Sequence, residues 1–169
     1  SGRPAGADGP CCARRFVHTY TTTGSTATTW HTNLLVTLDD AELSSGLGEV
    51  IKTAIIGGDE TLTLVERLTP QLLDRDPAAL AEIVEACVRV KARVVLSDHE
   101  ERGPRRVLNL GHTFAHAIEH AAGFGAVPHG VAVGVGLALA AHASGRTLGA
   151  PGALPERTVR LPDRAGLPC

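Results

Sequence analysis

The stretch DPAALAEIVEACVRVKARVVL, residues 76–96, decides the fold class. Asp76 offers a side-chain oxygen to the unpaired N–H groups of a first helical turn, and Pro77 suits the first helical position, where no N–H is needed. Behind them Leu80, Ile83, Val84, Cys87, Val88 and Val94-Val95 recur at the helical period. The spacing predicts a long helix from Pro77 to about Leu96. Flanking segments follow the same logic. Ser44-Ser45 reads as the cap of a helix from about Gly46 to Ile56, closed by Gly57-Gly58. Asp59 or Thr61 opens the next, with Leu62, Val65 and Leu68 on one face and Thr69-Pro70 as its punctuation. Further on, Ser97 to Pro104 reads as a charged loop, and a helix from about Leu108 to Ala122 is expected to end at Gly123-Phe124-Gly125. Val131 to Ser144 is almost wholly apolar but too short for a bilayer, so it reads as a buried core helix. Leu154 to Ala165 supplies a last short helix. No βαβ alternation, internal repeat or GxGxxG after a strand is present. The expected class is mainly α, a multi-helical domain.

Residues 1 to about 32 lack this periodicity: 1–10 are Gly/Pro-rich, and Thr19 to Thr29 is a Thr/Ser run interrupted by Gly24. An irregular leader over 1–36, poorly ordered or weakly extended, is expected, followed by the helical domain over 37–169, with His18 and His31 as ordinary polar residues. At 169 residues, 43% hydrophobic and 20% charged, the chain has the composition of a globular protein. A formal charge of −2 argues against a nucleic-acid partner. No run of about 18 apolar residues or signal-peptide pattern exists, so no membrane span is expected and the cytoplasm is the expected compartment. Cys11, Cys12, Cys87 and Cys169 match no disulfide or thiolate-metal spacing, so a bound metal would need histidine and carboxylate. Of 16 basic residues only Lys52 and Lys91 are lysines, which singles out positions where a compact, titratable amine is wanted.

Five of the eight histidines fall between His112 and His142. His112 and His116 stand four apart on one helix face, and His129 follows a turn that can fold it back onto that face. Glu49 precedes Lys52 by three residues on the same side of an earlier helix. Imidazoles with one carboxylate are the donor set of a catalytic zinc with an open position. Taken singly, each of these residues is more often a core histidine, cap or solvated charge. His120 and His142 have no spaced partner and read as ordinary surface or core residues.

Four blocks together resemble the 3-dehydroquinate synthase family. They are Ser45-Gly-Leu-Gly-Glu-Val-Ile-Lys52; Lys91-Ala-Arg-Val-Val95 with Asp98, Glu101, Gly103 and Arg105; Leu108-Asn-Leu-Gly-His-Thr-Phe-Ala-His-Ala-Ile-Glu119; and His129-Gly130. The resemblance implies Glu49, His112 and His129 as ligands of a divalent metal, zinc or cobalt, and His116 as the proton-transfer residue near a substrate phosphate. It implies Lys52, Lys91, Arg105 and Asn109 as substrate-binding residues, and Thr37 as a residue on the NAD side of the cleft. The implied reaction converts a seven-carbon keto sugar-acid phosphate (DAHP) to 3-dehydroquinate. NAD oxidises one hydroxyl, phosphate is eliminated, the ketone is reduced again and the ring closes by an aldol step. A small-molecule partner and a homodimer are likewise implied.

The family's NAD-binding α/β domain and its C-terminal substrate lysine have no counterpart in this sequence, so the expectation is a partial chain that binds metal weakly and does not turn over alone. Smaller departures are Thr53-Ala54, His99, Ala115 and Val131. Three competing readings stand beside this one: another sugar phosphate cyclase; an inactive fragment or interaction module; and a relative of the iron-type alcohol dehydrogenases, which the lysines and Arg105 disfavour.

Overall fold

The computed structural model describes residues 17–22, 25–98, 103–123, 125–147 and 153–167. Two strands, β1 (Val17–Thr22) and β2 (Ser25–Trp30), pair antiparallel with Val17 opposite Trp30 and Thr22 opposite Ser25. A 3-10 segment (Thr32–Thr37) leads into six helices: α1 (Asp40–Gly57), α2 (Asp59–Leu73), α3 (Pro77–Ser97), α4 (His112–Ala122), α5 (His129–Thr147) and α6 (Ala153–Arg164). A second 3-10 segment (Pro104–Asn109) stands before α4. The mainly helical class follows.

The hairpin gives regular, paired strands where a poorly ordered or weakly extended chain is expected over part of residues 1–32. β-branched threonine favours extended backbone, and Gly24 separates two Thr-rich runs of equal length, so pairing satisfies backbone groups that a lone strand would leave to water. Residues 1–16, with Cys11 and Cys12, lie outside the described residues, as do Cys169 and most of the charged run after Asp98.

Asp76 and Pro77 start α3 as the sequence predicts: the Asp76 carboxylate accepts from Ala79 N at 2.8 Å. α1 begins earlier than expected. Asp39, not Ser44-Ser45, is its cap, accepting from Glu42 N at 2.7 Å, which leaves Ser45 free to act inside the helix. α2 runs past Thr69-Pro70 to Leu73, with Pro70 in its last turn. The helix expected from Leu108 is also interrupted. Gly111 takes φ +78°, a left-handed conformation open to glycine, and the α-helix restarts at His112.

α1 and α5 are the central pair. α5 packs on α1, α4 and α6, while α1 also meets α2, α3 and α6. One apolar core joins Leu47 and Ile51 of α1, Leu62, Val65, Leu68 and Leu72 of α2, Leu80 and Ile83 of α3, Val133 and Leu137 of α5, and Leu161 of α6. Each such side chain contributes about 1.5–3 kcal/mol on burial. α5 is buried along its first half, at Gly130, Ala132, Val133, Gly134, Gly136, Leu137 and Ala138, as its apolar sequence predicts, whereas beyond Ala138 no residue of the helix is buried and Leu139, His142 and Ala143 are exposed. No described helix is long and apolar enough to cross a membrane.

Candidate metal centre

Three elements meet at one end of the α1–α5 crossing. Small residues allow it: Gly48 and Gly130 face each other so closely that a Cβ on Gly48 would lie 1.9 Å from the Gly130 carbonyl oxygen. The Gly130 N–H donates to Ser45 Oγ at 3.0 Å, locking the first turn of α5 onto α1. That contact brings His129, the first residue of α5, over Glu49 of α1.

His112 begins α4 immediately after the Gly111 break. One Glu49 oxygen, Oε1, lies 3.9 Å from His112 Nε2 and 3.8 Å from His129 Nε2. The three donor atoms all fall within 4.8 Å of one another. The His112 and His129 rings meet edge to face, their centroids 5.2 Å apart. Glu49 Oε1 is buried and has no hydrogen-bond partner. An orphaned buried carboxylate oxygen is costly, and a cation in the space it shares with two imidazole nitrogens would satisfy it.

The other carboxylate oxygen, Oε2, is held by Lys52 Nζ at 2.7 Å, one turn along α1. Burial pushes the Glu49 carboxyl up, but the charge and hydrogen bond of Lys52, with Lys91 and His112 behind, hold it below the usual carboxylate range. Glu49 is therefore an anion near neutral pH. Burial, with Lys52 nearby, lowers the His112 pKa against an opposing hydrogen bond to the Leu110 carbonyl. His112 Nδ1 faces that carbonyl at 3.2 Å, so Nδ1–H donates to it and Nε2 keeps its lone pair for the centre.

The remaining predicted residues divide. His116 stands beside the trio, its ring centroid 5.7 Å from that of His112 and 6.0 Å from that of His129. Lys91 is exposed on α3, close enough for its charge to act on Glu49. Arg105 is half-buried; its backbone N–H and that of Gly103 donate to Asp98 Oδ2 at 3.0 and 2.8 Å, so Asp98 folds the segment after α3 into its 3-10 turn. Asn109 is exposed at the end of that turn. Thr37 is exposed, and its hydroxyl donates to the Leu34 carbonyl at 2.8 Å; no described hydrogen bond or ion pair joins it to the trio. His120 and His142 are exposed on α4 and α5. Cys87, half-buried on α3, has a thiol pushed up to about 11, chiefly by burial, and stands outside the trio around Glu49.

Two residues that spacing did not single out frame the site. Ser45 is one. Glu119 is the other, its Oε1 3.0 Å from His129 Nδ1 and its Oε2 3.1 Å from His116 Nδ1. Burial raises its pKa, but the hydrogen bonds from the two rings prevail and leave it lowered. The i, i+3 step from His116 was a usable signal for one of these contacts, whereas the contact with His129 depends on the turn between α4 and α5.

Fold and site together define a helical domain whose central helix crossing gathers one carboxylate and two imidazoles. Residues 46–169 match the sequence profile described as 3-dehydroquinate synthase C-terminal, and the chain belongs to that family. It is 44% identical over 137 residues to the 3-dehydroquinate synthase of Nitrosococcus oceani, and 46% identical over 137 residues to that of Teredinibacter turnerae. Each alignment spans 81% of this chain and 38% of the relative, so the chain spans well under half the length of the curated relatives it matches. Among solved structures it is similar to a 2-epi-5-epi-valiolone synthase from Streptomyces hygroscopicus with NAD+ and Zn2+ bound. That match has a TM-score of 0.71 and 25% identity, covering 84% of this chain and 42% of the other.

Proposed function

We propose that this chain is the metal- and substrate-binding part of a lyase of the 3-dehydroquinate synthase type, acting on DAHP in aromatic amino-acid biosynthesis. One observation carries the reading: Glu49 Oε1, buried and without a partner, points at the Nε2 atoms of His112 and His129. The donor set, one carboxylate and two imidazoles, suits zinc or a zinc-like ion with coordination positions left over for substrate. When bound, such an ion supplies Lewis-acid polarisation of adjacent hydroxyl and carbonyl oxygens.

The protein's own residues do the rest. Lys52 keeps Glu49 ionised and in place. His116, with Nδ1 occupied by Glu119, offers Nε2 to take or give a proton. Lys91 and Arg105 bring positive charge for phosphate and carboxylate, and Asn109 donates to substrate hydroxyls. Thr37 belongs to the NAD side. NAD is the redox partner of this reading, consistent with the NAD+ and Zn2+ of the valiolone synthase relative.

Titration calorimetry tests the reading. Zinc is expected to bind at one site per chain, and Glu49→Ala is expected to abolish that binding. DAHP is expected to bind more tightly with zinc than with EDTA, because its hydroxyls would complete the coordination. Zinc binding indifferent to Glu49, or DAHP binding indifferent to zinc, would overturn the proposal. The valiolone synthase relative favours a second reading, a cyclase for a sugar phosphate without a carboxylate. A Lys91→Ala or Arg105→Ala change that leaves DAHP affinity unaltered would support that alternative.

A further inference from the structure

The turn between α4 and α5 returns the chain so that Glu119, near the end of α4, meets the first residue of α5. Its carboxylate reaches His129 Nδ1 with Oε1 at 3.0 Å and His116 Nδ1 with Oε2 at 3.1 Å. The Glu119 side chain is only 15% exposed, although His116 is 66% exposed. An ionised carboxylate can only accept, so each ring must carry its proton on the nitrogen that faces Glu119. In a neutral imidazole that choice leaves the Nε2 lone pair free, and His129 Nε2 is the atom 3.8 Å from Glu49. His112 is held differently, through the Leu110 backbone carbonyl, a neutral acceptor.

Building on the proposed metal site, we propose that Glu119 is a positioning residue that sets the tautomer and orientation of both His129, a ligand, and His116, a proton carrier. One side chain would then match the two rings to each other, because neither can rotate about its Cβ without losing the shared carboxylate. The carboxylate also raises the basicity of the imidazole it holds, which strengthens the bond that ring makes to a cation.

The test uses the 169-residue chain as parent, Glu119→Gln and Glu119→Ala, with two readouts. First, nitrogen-15 chemical shifts of the ring nitrogens of the metal-free protein near pH 8 report the tautomers. The parent is expected to show Nδ1–H on both His116 and His129. Glu119→Gln, whose amide has one acceptor oxygen, is expected to keep it on one ring, and Glu119→Ala on neither, while His112 stays unchanged in all three. Second, zinc affinity by competition with a chromophoric chelator is expected to fall about 10–100-fold in Glu119→Ala, the usual cost of losing such an outer partner, and less in Glu119→Gln. Unchanged tautomers in Glu119→Ala, or zinc affinity within twofold of the parent, would overturn the proposal. The outcomes separate the two claims: zinc binding that ignores Glu49 sinks the metal site, whereas the tautomer readout judges Glu119 with no metal present. A merely structural tether between α4 and α5 would lower thermal stability without reassigning ring protons.

Discussion

Lys52 Nζ holds one oxygen of Glu49 at 2.7 Å while the other oxygen of the same carboxylate is buried without a partner. The lysine side chain is 6% exposed and the glutamate 26%, so this pair sits largely out of water. Half of the carboxylate is neutralised from within α1, and the other half is presented to His112 and His129. Removing the ammonium leaves the anion with only the weaker influence of Lys91 and His112. Lys52→Met is therefore expected to destabilise the metal-free chain by about 2 kcal/mol, below the full cost of breaking a fully buried pair because Glu49 retains some water. Zinc would replace the lost charge. The destabilisation, measured by urea unfolding, should shrink at saturating zinc compared with EDTA; an equal loss in both conditions would contradict a shared cation site.

His116 and His112 stand one turn apart on α4, yet only His112 joins the trio around Glu49. His112→Ala is expected to weaken zinc binding at least about 100-fold, since it removes one of three protein donors. His116→Ala is expected to change it less than about fivefold. Chelator competition on both variants checks the distinction, and comparable losses would place His116 in the coordination shell.

The pair His112/His116 and the helix carrying Glu49 and Lys52 were legible because periodicity fixes which residues share a helix face. The approach of α5 to α1 was not. It depends on Gly48, Gly130 and Ser45, whose meaning lies in a contact between residues 85 positions apart. The start of α1 was misplaced because Ser44-Ser45 and Asp39 are all competent caps, and only the folded chain decides which N–H groups need one. The role of Glu119 is illegible for the same reason: half of it lies across a turn. The pairing of Val17–Trp30 into a hairpin was not legible because a threonine run carries extended preference without the apolar alternation that marks a half-buried strand.

Gly48 and Gly46 give a sharp contrast within one helix. A Cβ at Gly48 would sit 1.9 Å from the Gly130 carbonyl oxygen, against backbone that cannot rotate away, whereas one at Gly46 meets nothing within 4 Å. Gly48→Ala must force α1 and α5 apart, at a cost of about 3 kcal/mol or more, and should abolish zinc binding by displacing His129 from Glu49. Gly46→Ala should instead stabilise the chain by about 0.5–1 kcal/mol through reduced unfolded-state freedom. Urea midpoints and zinc titrations on both variants read the two effects. A Gly48→Ala protein that still binds zinc with parental affinity would show that the close crossing does not govern the site.

Far from that crossing, Arg157 of α6 grips α2. Its Nε and Nη2 donate to the two oxygens of Glu66 at 2.8 and 2.9 Å, and it also pairs with Asp59 and donates to Thr63 Oγ1. The hydrogen bonds from Arg157 outweigh a smaller opposing effect of burial and hold the Glu66 carboxyl below its ordinary 4.5. A carboxyl with a depressed folded pKa binds fewer protons in the native chain than in the unfolded one. Its stabilisation is complete above the unfolded pKa of 4.5 and disappears as pH falls through the lowered folded value. Arg157→Gln is accordingly expected to melt at a lower temperature than the parent near pH 7, and the gap should close on acidification below about pH 4. Because Leu161 and Leu167 follow Arg157 into the core, the loss at neutral pH should appear first as weakened docking of α6, visible as faster amide exchange there. A gap in melting temperature that stays constant from neutral to acid pH would mean that Arg157 acts through packing of its aliphatic stem, not through the Glu66 carboxylate.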